Sequence, residues 1–195
     1  MVEQGTLQEI IADYLNSKAL FGFDSVADMK TATNLINGSY AETLGYYTKN
    51  DGGKALYKIR EITNDDVVDE FKIIELSDND LIAELIIEDI VNVKACGVKG
   101  DGITDNTTLL QNIIDSFPNK TIYFPDGTFG ITSHLTTSVD NDKAVCIKLD
   151  DYAVIKALST YSDQNAMICL GGKNYSNYYL YDNFSNYGIE GGTID

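Results

Sequence analysis

The chain has 195 residues, 44% of them hydrophobic, which suits one domain or two small ones with a buried core. Its 14 Lys and Arg against 30 Asp and Glu give a formal net charge of −16; such a balance excludes a nucleic-acid partner, which needs clustered cations, and disfavours anionic membrane surfaces. No apolar run approaches the roughly 20 residues that span a bilayer, and Met1-Val2-Glu3-Gln4 lacks the basic-then-apolar pattern of a signal peptide, so a chain assembled in a cytosol without membrane insertion is expected.

The first predicted element is an amphipathic helix within residues 1–22. Thr6 and Glu9 have capping-box spacing, and Leu7, Ile10, Ile11, Tyr14 and Leu15 share one helical face. A helix of about three turns is marginal alone, so this stripe must bury against its own domain, a symmetry copy or another protein. A second capping-box-like run, Ser25 to Asp28, predicts a short helix with Val26, Met29 and Leu35 inward, closing near Asn37-Gly38. The period then changes. Residues 42–47 and 55–59 flank a Gly-rich turn at 49–53 and read as a β-hairpin, with Tyr46 opposite Tyr57 or Tyr47 opposite Leu56.

Between residues 61 and 89 Lys72 is the only cation, and short strands are predicted over 72–76 and 81–86. Asp65, Asp66, Asp69, Asp78 and Asp80 read as a solvated acidic face, because their spacing does not place calcium ligands at alternate positions with a closing Glu. After Asp89 glycines and short strands take over, which marks a domain boundary.

Residues 91–107 are the most specific text in the sequence. A strand is expected to end at Gly97, Gly100 and Gly102 to bracket a tight polar turn around Asp101, and Thr104 or Asp105 to cap a helix with Leu109, Leu110, Ile113, Ile114 and Phe117 inward. Two strands separated by Pro125-Asp126-Gly127 follow over 121–131, and more recur at 145–149, 153–157, 166–170 and 188–195. Short strands at irregular spacing suit a solenoid of parallel strands. Cys96, Cys146 and Cys169 are odd in number, widely spaced and set among apolar or small neighbours, so they read as buried hydrophobes rather than a metal or disulfide set.

The order strand, Gly-rich Asp turn, capped helix, Tyr123-Phe124-Pro125, strands and Gly191-Gly192-Thr193-Ile194-Asp195 resembles the pectate-lyase-like superfamily of right-handed parallel β-helices. The segment from Phe23 to Lys30 and its continuation from Thr43 to Tyr57 resembles the head-binding or neck region that precedes such helices in phage tailspikes and preneck appendage proteins. The two resemblances in series imply a mainly β chain with three parts: an N-terminal amphipathic helix (1–22), a small α+β virion-binding domain (23–89), and the capping helix and first rungs of the β-helix (90–195). They imply a parallel homotrimer on a phage tail, neck or head protein, assembled in the host cytoplasm, with the stripe Leu7, Ile10, Ile11, Tyr14 and Leu15 as its virion or trimer interface. The chain stops at Asp195 as a rung begins, which gives the expectation of a fragment.

Asp101 and Asp105 suggest a carboxylate pair for glycosidic cleavage, but turn and cap formation explains both, together with Gly100 and Gly102. Asp126 and Asp195 have no acidic or basic partner nearby in sequence, and His134, the sole histidine, reads as a surface or turn residue. The Tyr- and Asn-rich stretch 173–187 offers Tyr175, Tyr178, Tyr179 and Tyr181 either to a host polysaccharide or to a neighbouring protomer. No catalytic residue, metal site or cofactor is assigned. The expected function is a structural anchor for a receptor-binding shaft used in host adsorption. The alternative is a polysaccharide lyase or glycoside hydrolase whose catalytic residues lie beyond this chain; a secreted carbohydrate-binding module is disfavoured by the absent signal sequence.

Overall fold

The computed structural model describes residues 19–78, 80–137, 145–161, 167–169 and 188–195. They fall into two compact units that divide between Ile86 and Ile87.

The first unit is a five-stranded sheet in the order β1-β2-β3-β5-β4, built from β1 (Leu20–Phe23), β2 (Tyr40–Thr43), β3 (Ala55–Glu61), β4 (Ile73–Glu75) and β5 (Leu81–Leu85). β1 runs parallel to β2, and the other pairs are antiparallel. Leu20 and Phe21, placed with the N-terminal helix by the sequence, therefore belong to the sheet. Along β3 the two-residue period is plain: Ala55, Tyr57 and Ile59 are buried, while Leu56, Lys58 and Arg60 face the other way. Helix α1 (Val26–Thr31) sends Val26 and Met29 into the core. Its capping box forms as expected, with the Asp28 amide donating to Ser25 Oγ at 3.2 Å and the Ser25 hydroxyl to Asp28 Oδ2 at 2.7 Å.

Two expectations for this unit are corrected. Helix α1 stops at Thr31, well before Asn37-Gly38, and Leu35 lies outside it. The cause is a tertiary contact: Ser77 donates its amide to the Lys30 carbonyl at 2.8 Å and its hydroxyl to the Ala32 carbonyl at 3.0 Å, so these carbonyls are satisfied without another turn. The hairpin register also differs, since Tyr57 pairs with Ala41 and Leu56 with Glu42. Tyr46 and Tyr47 leave the strand because Asp51 gathers the loop, its carboxylate accepting from the amides of Tyr46, Tyr47, Thr48 and Gly53 at 2.8–3.1 Å. Burial raises the Asp51 carboxyl, but these backbone donors outweigh it and the net shift is downward. Asp51→Ala is expected to cost about 1–3 kcal/mol, the range for losing hydrogen bonds to a charged group, and Asp51→Asn less; urea unfolding of the two variants checks this order.

The second unit is made of three parallel sheets. Strands β6 (Ile90–Asn92), β8 (Thr121–Phe124), β11 (Cys146–Leu149) and β14 (Gly188–Glu190) form one, and β7 (Asp101–Asp105), β9 (Gly127–Ile131), β12 (Ala153–Ala157) and β15 (Thr193–Ile194) another. β10 (Leu135–Thr136) pairs with β13 (Ile168–Cys169) as the third. Chain order visits the sheets in turn, so each circuit is one rung of a parallel β-helix. Inward residues stack rung upon rung: Val91, Ile122, Ile147 and Ile189 in one column, Phe129, Ile155 and Ile194 in another. Phe124 and Phe129 fill the space between them, fully buried and edge to face at 5.2 Å between ring centroids.

Helix α2 (Thr107–Ser116) follows β7 and buries Leu110, Ile113 and Ile114 with Phe117 just beyond, while Leu109 is half-buried. The strand expected to end at Gly97 stops at Asn92 instead, because the Asn92 side chain caps a 3-10 turn (Val93–Cys96) by accepting from the Lys94 amide at 3.0 Å. His134 is buried rather than a surface residue, between β9 and β10. Of the cysteines only Cys96 is buried; Cys146 and Cys169 are half-buried. Among the described residues no helix is long and apolar enough to cross a membrane.

Candidate functional site

The turn residues singled out by the sequence meet at the first rung. Gly102 has φ +74°, a left-handed conformation that favours glycine. Gly100 packs against the next rung, where an added Cβ would lie 3.3 Å from the Gly127 Cα, and its carbonyl accepts from the Thr128 amide at 3.1 Å. Between them Asp101 turns the chain: its Oδ1 accepts from the amides of Ile103 at 3.0 Å and Thr104 at 2.8 Å, and its Oδ2 from the Thr104 hydroxyl at 2.7 Å. These bonds, the Thr104 hydroxyl foremost, hold the carboxyl down at about 2.

The residue at the N-cap of helix α2 is Asn106 rather than Thr104 or Asp105; Asp105, one residue earlier, binds the helix's first residue and ties it to the second rung. Its Oδ1 accepts from the Thr107 amide at 3.0 Å and hydroxyl at 2.5 Å, while Oδ2 accepts from the Thr132 hydroxyl at 2.7 Å. Burial raises this carboxyl, yet the donors of Thr107 and Thr132 prevail and lower it overall. Both aspartates are thus ionised acceptors whose donors are supplied by neighbouring backbone and threonines. Such groups suit turn and cap formation and are poor candidates for a general acid, which must keep its proton near working pH.

These carboxylates fix an acid dependence. A carboxyl whose folded pKa lies below its unfolded value, near 3.9, stabilises the fold above the unfolded pKa and loses that contribution as pH falls through the folded one. Stability of the second unit is expected to fall between about pH 4 and pH 2 through Asp101. Asp101→Asn, which keeps an oxygen acceptor but not the charge, should flatten that slope; melting temperatures of both proteins across the window test it.

Two residues that sequence reasoning passed over hold the site together. Asn106 is buried; its Oδ1 accepts from the Lys99 amide at 3.0 Å, and its Nδ2 donates to the carbonyls of Lys99 at 2.9 Å, Thr104 at 3.1 Å and Gly130 at 3.4 Å. Gln111 on α2 imitates a strand: its Oε1 accepts from the Thr136 amide and its Nε2 donates to the Thr136 carbonyl, both at 2.9 Å. This side-chain amide occupies hydrogen-bonding groups of β10 that a neighbouring strand would otherwise take. The sequence singles out neither residue, and Asn106, although it stands at the N-cap of α2, makes no side-chain cap bond there.

Other carboxylates have equally local roles. Asp66 accepts from Arg60 and from the Thr63 amide and hydroxyl, Asp69 from the amides of Phe71, Lys72 and Ile73, and Asp150 from the Tyr123 hydroxyl at 2.8 Å, which raises the Tyr123 phenol. The stripe Leu7, Ile10, Ile11, Tyr14 and Leu15 and the tyrosines Tyr175, Tyr178, Tyr179 and Tyr181 lie outside the described residues.

Comparison with known proteins bears on the same region. Residues 90–184 match the family model for rhamnogalacturonase A/epimerase, pectate lyase-like. The fold matches the tailspike protein gp49 of Acinetobacter baumannii bacteriophage Fri1, a capsular polysaccharide depolymerase, with a TM-score of 0.66 at 14% identity over 89% of this chain and 32% of that one. The second unit has the parallel β-helix fold. The same tailspike fold recurs in the Acinetobacter baumannii phage AM24 tailspike protein, with a TM-score of 0.56 at 12% identity over 94% of this chain and 34% of that one. Pantoea stewartii WceF, a glycan biofilm modifying enzyme with a tailspike-like parallel β-helix, matches with a TM-score of 0.51 at 15% identity over 73% of this chain and 22% of that one. The chain therefore spans about a third or less of each of these proteins. No curated protein sequence matches it.

Proposed function

We propose that this chain is the virion-proximal part of a phage tailspike, a parallel homotrimer in which residues 23–89 attach to a tail, neck or head protein and residues 90–195 begin the shaft that adsorbs to the host. The observation that carries this reading is the pair of units in series: the likeness to the Fri1 tailspike extends over 89% of the chain, so it takes in the sheet of the first unit as well as the β-helix. The local chemistry agrees with it. Asp101 and Asp105 are held by backbone and threonine donors, and they brace the first rung rather than face each other across a bound substrate.

A second reading is favoured by the likeness to gp49, a capsular polysaccharide depolymerase, and to WceF, a glycan biofilm modifying enzyme: an intact protein of this kind cleaves host-surface glycan with groups carried on later rungs. The two readings separate on one assay. The chain alone, incubated with a panel of bacterial capsular polysaccharides, is expected to leave viscosity unchanged and to release no new reducing or unsaturated ends. Cleavage by this chain would overturn the assignment of a non-catalytic anchor. Stable co-purification with a tail, neck or head protein of its phage is the expected positive result.

A further inference from the structure

The first unit exposes apolar side chains on surfaces of opposite charge. One surface is the sheet face turned away from the buried Tyr57 and Ile59. Leu20, Tyr40 and Lys58 stand side by side in register there, and Leu56 lies two residues before Lys58 on the same side. Leu20 is 62% and Leu56 38% exposed; Ile86, whose amide donates to the Leu56 carbonyl at 2.9 Å, is exposed as well. The charges beside them are mainly cationic. The Lys58 ammonium sits 4.2 Å from the Tyr40 ring centroid, and the Lys54 ammonium reaches Glu42 at 2.7 Å.

The other surface lies past the far end of β3. Ile62 and Val67 flank a turn closed by Asp66, which accepts from the Thr63 amide at 2.7 Å and hydroxyl at 2.8 Å and from Arg60 at 2.6 and 2.8 Å. The turn is thereby fixed to the sheet while holding Val67 at 73% and Ile62 at 41% exposure. Its surroundings are acidic, since Lys72 is the only cation between residues 61 and 89. Arg60 takes up Asp66 and Glu84, and Lys30 takes up Glu70. Asp65 and Asp80 form no ion pair among the described residues, and Asp80 is tied to the patch through its carbonyl, which accepts from the Ile62 amide at 3.0 Å.

A chain of formal net charge −16 repels its own copies, so copies associate at least cost where the acidic surface of one meets the cations of the next. Each surface has aliphatic side chains to bury in such a contact. The two are also distinct, because Leu56 and Glu61 lie ~17 Å apart along β3 at ~3.4 Å per residue. Their contact is therefore head to tail, the kind that can close into a ring. We propose that in the trimer the Ile62–Val67 turn of one copy docks on the Leu20 and Leu56 face of the next, with Asp65 and Asp80 facing Lys54 and Lys58. The proposal rests on the tailspike reading, which supplies the trimer, and adds the surfaces through which its copies meet.

Light scattering on the full chain over a range of concentrations tests it. Val67→Asp and Leu20→Asp change side chains that a single chain leaves mostly exposed, so far-ultraviolet circular dichroism is expected to be unchanged. Each is expected to raise the concentration at which half the chain is assembled by about tenfold or more. Asp65→Lys combined with Asp80→Lys should do the same, and adding Lys54→Glu and Lys58→Glu to that pair should recover assembly, because the attraction returns with its signs reversed. Should the fourfold variant fail to fold, the Val67 and Leu20 variants decide alone. A trimer whose concentration dependence is unchanged in these variants, or weakened from only one of the two surfaces, would overturn the docking and leave the tailspike reading standing. An unsubstituted chain that stays monomeric would overturn both.

Discussion

Asn106→Asp is expected to destabilise the second unit by about 3–5 kcal/mol, a large part of a typical domain's 5–15 kcal/mol or so. Its Nδ2 donates to three carbonyl oxygens, those of Lys99, Thr104 and Gly130. A carboxylate there replaces the donor with an acceptor, so an anion faces three carbonyls in a buried place with only the Lys99 amide left to it. Protonation would relieve part of this, so the variant should regain stability as pH falls, in the direction opposite to Asp101. Asn106→Ala, which removes the side-chain bonds without adding charge, should cost about 1–3 kcal/mol. Urea unfolding of the two variants orders them; an Asp variant as stable as the Ala variant would mean that Asn106 does not clamp the first rung to the second.

Phe129→Ala is the second large effect, about 3–5 kcal/mol. Phe129 is fully buried, stacks in register with Ile155, meets Phe124 edge to face and lies beneath the Lys94 side chain, whose ammonium is 5.9 Å from the ring centroid. Truncation leaves a cavity that the rungs above and below cannot close, because their spacing is fixed by the backbone ladders of β7, β9 and β12. Phe129→Leu should recover more than half of the loss. Thermal unfolding followed by near-ultraviolet circular dichroism tests both; a change under about 1 kcal/mol for the Ala variant would show that this column is not core.

Much of the second unit is legible in sequence because its signals are local. Asp101 between Gly100 and Gly102 marks a turn whose bonds span two or three residues, and the helix stripe of Leu110, Ile113 and Ile114 has its own period. The misreadings arise where distant residues decide. Ser77 ends α1 from 45 residues away, and Asp51 draws Tyr46 and Tyr47 out of a strand that their β propensity favours. His134 reads as a surface residue among Thr132, Ser133 and Leu135, but it is buried where the chain passes from β9 to β10. Gln111 is invisible for the same reason, since its partner Thr136 is 25 residues on and belongs to another rung.

The most direct test of the anchor reading is the mass of the assembly in solution, measured by light scattering on the purified 21.5 kDa chain over a range of concentrations. The account predicts three copies per particle. A chain that stays monomeric at the highest concentration would contradict the proposal that it forms the trimeric base of a tailspike.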